Sequence, residues 1–338
     1  MRIALDAMGG DKAPGPIVAG AVRAVSQTPD LTVVLVGDEP TIAALIPADV
    51  SQSLGDRLSI VHCSQTIDMG ESPLEAMRRK PDNSISRSWQ LLAEKRVEAV
   101  VSAGSTGGMV AGAFRLRKFL KNVQRPGIAS IMPTAKGPCV IVDVGANTDP
   151  KPMHLFQYGA MGRIFAKHML GKDNPTIGLM NVGEEQGKGN DLAKKTFSMF
   201  ANGPLKESFI GNIEGRDIHR GACDVVVCDG FVGNVILKLS EGVFEFIMKM
   251  VGKDIVGPLP NDRALAMQNL QTLVGKYDYS TFGGAPLLGI DGLCMICHGS
   301  SGEVAIGNAL MLSAKYLRLN LNDHMVAELE GLPTPEDE

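Results

Sequence analysis

Short runs of apolar, mostly β-branched residues alternate along the chain with longer stretches whose apolar positions recur every three or four residues. The short runs predict strands at 2–6, 31–37, 58–62, 99–102, 127–132, 139–142, 176–181, 209–212, 224–228 and 293–296. Runs such as VVLVG and DVVVC are apolar at every position, the pattern of parallel strands covered on both faces. Helical spacing predicts helices over 17–26, 84–95 and 301–319. In the stretch 231–251, Val232, Val235, Ile236, Leu239, Val243, Phe246, Ile247 and Met250 make one apolar helix face. Strand and helix alternate almost throughout. The class this predicts is α/β: a doubly wound, mostly parallel sheet with helices on both faces. One such domain, in one lobe or two, is expected over residues 1–320, with a helical hairpin at about 242–277 and a C-terminal tail over 321–338.

Glycines cluster where these strands end: MGGD (8–11), AGSTGG (103–108), DVGAN (143–147), VGEEQGKG (182–189), DGFVGN (229–234) and HGSS (298–301). Ligands of open α/β sheets bind outside the carboxyl ends of strands, near helix N-termini. One glycine loop alone reads as a tight βα turn, but the set together predicts a single ligand crevice.

Composition narrows the choice of ligand. A formal net charge of −4 and an aromatic content of 5% set nucleic-acid binding aside, because phosphate backbones select basic surfaces and bases stack on aromatic rings. The opening MRIALDAMGG has no apolar signal core, and the six cysteines then suit a reduced, cytoplasmic setting. No run approaches the roughly 18 apolar residues of a membrane span.

The loops divide on chemistry. In AGSTGG the small residues let backbone N–H groups approach an anion at a helix N-terminus, with the Ser105 and Thr106 hydroxyls beside them; an ordinary Ser/Thr helix cap gives the same sequence. The 183–189 loop imitates a Walker A but is one residue short and lacks Ser/Thr after Lys188. Lys188 is either a point charge for a phosphate or part of a solvated charge run. Cys294 to His298 spells the haem-attachment pattern, yet the cysteines fall in an apolar strand and no second Cys/His pair completes a zinc site, so they read as structural thiols. His298 sits at a strand–helix junction, as a functional imidazole or a packed one. Asp6, Asp11, Asp143 and Asp229 lie at strand ends, where acid–base or metal chemistry and plain turn formation are both open. No GxSxG elbow is present. The hairpin carries an apolar tip (Phe244, Ile247, Met248, Val251, Ile255, Val256, Leu259, Leu265), suited to core packing, a dimer interface or a membrane surface.

Taken in order, LDAMGGD, VSAGSTGG, RPGIA, DVGANTD, MNVGEEQGKG, FIGNIEGRDI, DVVVCDGFVGNVILK, YSTFGGAPLLG and HGSS resemble the motifs of the bacterial acyl-ACP:phosphate acyltransferases, the PlsX family, from residue 1 to about 319. The resemblance implies a fold similar to the isocitrate and isopropylmalate dehydrogenases and to phosphotransacetylase. It also implies a homodimer that uses acyl-ACP and inorganic phosphate without metal, nucleotide or other cofactor. Peripheral membrane contact through the tip at about 251–265 follows from it, as does delivery of acyl phosphate to a membrane glycerol-3-phosphate acyltransferase for phospholipid synthesis. Ser105 stands where the family commonly has Asn.

A thioester is already activated, and phosphate is substantially dianionic near neutral pH (its second pKa is about 6–7), so direct attack without an acyl-enzyme is expected. Gly104, Ser105, Thr106 and Gly107 are the expected phosphate cradle. His298, Lys188, Asn234 and Asp229 are the expected catalytic set, with Lys188 and Asn234 at the developing charge and His298 protonating the leaving thiolate. Arg78, Arg79 and Lys80, or Arg115, Arg117 and Lys118, offer a basic patch for an acidic carrier, or only solvated helix faces. Competing readings are a short-chain phosphotransacetylase, a β-decarboxylating dehydrogenase binding NAD, and a non-catalytic acyl-ACP adaptor.

Overall fold

A computed structural model describes residues 1–67, 70–116, 118–277 and 283–332. Its strands are β1 (Arg2–Asp6), β2 (Thr32–Gly37), β3 (Leu58–His62), β4 (Ala99–Ser102), β5 (Gly127–Met132), β6 (Cys139–Val142), β7 (Ile177–Met180), β8 (Phe209–Ile213), β9 (Val225–Val227), β10 (Ala285–Leu288) and β11 (Leu293–Ile296). All lie in one sheet of order β3-β2-β1-β4-β11-β10-β5-β6-β9-β7-β8. The first half carries helices α1 (Gly15–Gln27), α2 (Glu39–Ala43), α3 (Ala48–Leu54), α4 (Pro73–Arg79), α5 (Ser84–Ala93) and α6 (Thr106–Leu116). The second carries α7 (Pro152–Leu170), α8 (Asp191–Asn202), α9 (Gly215–Arg220), α10 (Gly230–Met250) and α11 (Arg263–Tyr277), and α12 (Glu303–Arg318) and α13 (Leu321–Glu330) follow.

The continuous apolar runs have the expected cause. Ile3, Leu5, Val33 and Leu35 point into one core, under α1, α7 and α12, while Ala4, Val34 and Val36 point into another on the opposite face. Both faces are therefore dry. The sheet is mostly parallel, but β10 runs antiparallel to β11 and β5, and β5 antiparallel to β6. The two parallel halves consequently point in opposite directions.

Their registers bring the carboxyl ends together. Ser102 of β4 lies beside Ile296 of β11, and Ile296 beside Ala285 of β10. Leu287 pairs with Ile128, a register that sets Ala285 opposite Ser130, while Val142 of β6 pairs with Ala129. The loops after β4, β11, β6 and β9 thus converge from both sides on the middle of β5.

β10 is absent from the expected strands. Its four residues include Pro286 and lie between Gly284 and Gly289, so local sequence reads as turn. Within the expected C-terminal tail, residues 321–330 form α13. Leu321, Met325 and Leu329 recur every four residues, are buried, and dock on α7, where Glu328 pairs with Arg163. Residues 333–338 lie outside the described part.

At the start of α7, His154 is buried, and its Nδ1 accepts the Lys151 N–H at 2.9 Å. Burial, aided by the charges of Arg125 and Lys151, pulls this imidazole down to about 4. Between that value and the ordinary one near 6.5, the unfolded chain binds more protons than the folded one, so stability is lost as pH falls through this window. The thermal midpoint is expected to drop on acidification from about pH 7 to about pH 5, and His154→Gln to lose less of it; equal losses in scanning calorimetry would refute this.

Candidate active site

The convergence encloses a cavity of about 660 Å³. Five of the glycine loops reach it, through Asp11, Gly104, Gly145, Gly230 and His298, whereas the 182–189 loop does not line it. Each half builds its rim from a buried aspartate and close glycine packing.

In the first half Asp6 ends β1 and accepts the Ser102 hydroxyl at 2.7 Å, and that hydroxyl oxygen accepts the Gly104 N–H at 3.0 Å. Burial pushes the Asp6 carboxyl up, and its hydroxyl and amide donors oppose the shift. A Cβ on Gly9 would stand 2.5 Å from Asp6 Oδ2 and 2.6 Å from the Gly104 nitrogen, so only glycine lets the two loops touch. In the second half the buried Asp143 carboxylate accepts backbone N–H groups from Ile128 (3.0 Å), Gly145 (3.0 Å), Ala146 (2.9 Å) and Asn147 (2.7 Å). Burial pushes this carboxyl up against the pull of those four donors. α10 then lies directly on the Asp143 loop, with the Gly230 N–H donating to the Asn147 carbonyl at 2.8 Å.

Two helix N-termini thereby face one cavity: α6 presents Thr106 and Gly107, and α10 presents Gly230, Phe231 and Asn234. Each end is the positive pole of a helix dipole, so the pair favours an anion between them. Gly104, Thr106 and Gly107 of the expected cradle line the cavity. Ser105 is buried instead, and its Oγ accepts the Gly108 N–H at 3.3 Å, which is the helix-cap role. Asp229 is likewise a cap, accepting the Val232 N–H at 2.9 Å.

Asn234 and His298 both line the cavity. His298 Nδ1 lies 2.7 Å from the Ser300 hydroxyl and 3.2 Å from the Ser300 backbone nitrogen. Because that N–H can only donate, Nδ1 accepts, and the proton of the neutral ring is assigned to Nε2. Lys188 stands outside the lining, with Nζ 3.9 Å from Glu185. Lys238, not singled out in the sequence, does line it; it sits one helical turn past Asn234 and pairs with Glu241 at 2.9 Å. The spacing Asn234–Lys238 within DGFVGNVILK was the available signal.

Cys297 touches the cavity but is 4% exposed, and burial pushes its thiol up to about 12, so it offers no thiolate. Of the basic clusters, Arg79 pairs with Glu75 and Lys80 with Glu71, while the Lys118 ammonium donates to the Ala93 carbonyl. Arg117 lies outside the described residues.

A second cavity of about 1100 Å³ adjoins the first, between α10, α11 and the segment after β5. Leu237, Lys238, Glu241 and His298 line both.

The chain superposes on a phosphotransacetylase from Streptococcus pyogenes with a TM-score of 0.61 and 16% identity over 94% of each chain. It also matches the EutD phosphotransacetylase from Staphylococcus aureus at 0.57 and 14% identity over 93% of each. These are similarities of fold. The family follows from sequence: the model described as "Fatty acid synthesis protein" matches residues 1–324. Proteins named phosphate acyltransferase are 42% identical in Halothermothrix orenii (95% of this chain, 96% of that one) and 43% identical in Heliobacterium modesticaldum (98% and 99%). The chain belongs to this phosphate acyltransferase family.

Proposed function

We propose that this enzyme transfers a fatty acyl group from acyl-[acyl carrier protein] to inorganic phosphate, giving acyl phosphate for phospholipid synthesis. The observation that carries the reading, within this family, is the meeting of the α6 and α10 N-termini at one cavity that presents a histidine and no activated thiol.

Phosphate sits between the two helix ends, held by the backbone N–H groups of Thr106 and Gly107 and by the Thr106 hydroxyl, with Gly104 leaving room for it. One phosphate oxygen attacks the thioester carbon: a C–O bond forms, and the carbonyl oxygen takes the displaced pair. The Asn234 amide donates to that oxyanion. On collapse the C–S bond breaks, and His298, acting as the imidazolium with its Nδ1–H on the Ser300 hydroxyl, gives its Nε2 proton to the departing sulfur and is left neutral. The imidazole regains its proton from the hydrogen phosphate, so protons balance. Lys238 places an ammonium donor at the cavity wall, where Glu241 balances its charge. Lys188 acts at longer range, through its charge on the same loop edge, and Lys188→Ala is expected to stay within about threefold of full turnover, measured by carrier release. Asp229 serves the reaction by holding the α10 N-terminus.

The outward face of α10 supports a homodimer. Phe231, Val235, Leu239, Val243, Phe246 and Met250 form an exposed apolar stripe, next to the exposed tip residues Ile255 and Leu265. The tip suits peripheral contact with the inner face of the membrane; no helix among the described residues is long and apolar enough to cross one. Acyl phosphate is then released close to a membrane glycerol-3-phosphate acyltransferase.

The test is incubation with palmitoyl-ACP, with and without phosphate, following free carrier and trapping acyl phosphate with hydroxylamine. Phosphate-dependent release with a hydroxamate product, absent with palmitoyl-CoA and acetyl-CoA, is expected. Release that ignores phosphate, or none at all, would refute the reading.

A further inference from the structure

We propose that the second cavity holds the acyl chain, and that Phe244, Met248 and Leu273 set the chain length accepted. The proposal rests on the acyl transfer argued above and adds where the hydrocarbon goes.

Position comes first. Because His298 lies on the wall shared by the two cavities, a thioester carbon placed beside it faces the phosphate site on one side and the second cavity on the other. A chain leaving that carbon away from the phosphate enters the second cavity directly.

Shape and chemistry agree. Leu237, Phe244 and Met248 occupy one face of α10, and Leu273 and Val274 of α11 stand opposite, above Met132 and Ala135. From Leu237 to Met248 the helix rises about 16 Å, which an extended hydrocarbon covers in roughly 13 bonds. The volume exceeds the usual range of about 300–1,000 Å³ for small-molecule sites, leaving room for a long chain. The ionised groups at the margin are matched to each other: Lys238 with Glu241, and Lys249 with Glu245. His219 bonds the Ser240 hydroxyl at 3.3 Å. Thr134, Ser240 and Ser300 also reach the wall, but most of its surface is apolar, which suits methylenes that need no hydrogen-bond partner.

The length gauge lies at the far end from His298. Phe244 and Met248 are half-buried, and Leu273 is 42% exposed at the opposite wall. A tryptophan there shortens the channel without reaching the reacting atoms.

The experiment compares kcat/KM for palmitoyl-ACP and octanoyl-ACP in the phosphate-dependent release assay. Met248→Trp is expected to lower the palmitoyl value about tenfold or more, the loss of contact for a few methylenes, while octanoyl stays within about twofold. An unchanged palmitoyl-to-octanoyl ratio overturns the assignment. Leu273→Trp, on the other wall, carries the same comparison should Met248→Trp fail to fold. Absence of release by the unaltered protein with either substrate is a different result and would sink the underlying transfer instead.

Discussion

Replacing Gly233 with alanine is expected to destabilise the protein by about 3 kcal/mol or more, a loss of roughly 4 °C or more in the unfolding midpoint. The added Cβ overlaps the carbonyl oxygen of Asp143 and stands 2.9 Å from both the Asp143 carbonyl carbon and the Cys228 sulfur. The overlapped atom is backbone, and that backbone is held by four amide bonds to its own carboxylate, so no side-chain rotation relieves it. Either α10 lifts from the sheet or the Asp143 loop opens, and both disrupt the cavity rim. Gly242→Ala on the same helix is the matched control, since its Cβ meets nothing within 4 Å. There alanine raises helix propensity by up to about 1 kcal/mol, so the midpoint should hold or rise. If urea unfolding puts Gly233→Ala within about 1 kcal/mol of the unaltered protein, the close packing of α10 on that loop is wrong.

The same glycines show what could be read from the chain alone. Continuous apolar strands and the 3.6-residue faces of α1, α5 and α12 are local patterns, and they predicted those elements to within a few residues. That five of the six glycine loops share one crevice was also legible, from their place at strand ends; the 182–189 loop, expected with them, does not line it. Why Gly233 must be glycine was not, because the obstacle is Asp143, far away in sequence and brought there by the β6–β9 pairing. β10 escaped notice for a related reason: Pro286 and flanking glycines weaken a strand locally, and the antiparallel pairings to β5 and β11 that stabilise it are non-local. Neighbourhood in sequence likewise favoured Lys188, in a glycine loop, over Lys238, in a helix. The cavity selects Lys238 because helical spacing carries it to the Asn234 face. Ser105 carried the alternative of capping from the outset and Asp229 that of plain turn formation, and both side chains cap their helices.

His298→Ala is expected to lower kcat by about 10²–10³-fold with a much smaller change in KM, the range for removing a general acid. The geometry makes the assignment specific. The Ser300 hydroxyl, 2.7 Å from Nδ1, can accept from a protonated ring, and the residue lies on the wall shared by the two cavities, beside both phosphate and acyl sites. A purely structural histidine would give a defect independent of the leaving group. A general acid gives one that shrinks when the departing thiol is more acidic, because a stabilised thiolate leaves without a proton. The palmitoyl thioester of a nitro-substituted thiophenol, whose thiol is far more acidic than an alkyl thiol near 8.5, is therefore the discriminating substrate. The His298→Ala deficit should fall below about tenfold with it while staying above about a hundredfold with palmitoyl-ACP. His298→Gln, which keeps a neutral N–H donor but transfers no proton, should resemble alanine with palmitoyl-ACP. Near-normal turnover by His298→Gln would show that Nε2 acts by hydrogen bonding to the oxyanion rather than by giving up its proton. Equal deficits for both substrates would remove His298 from the chemistry and leave the converging helix ends as the source of catalysis.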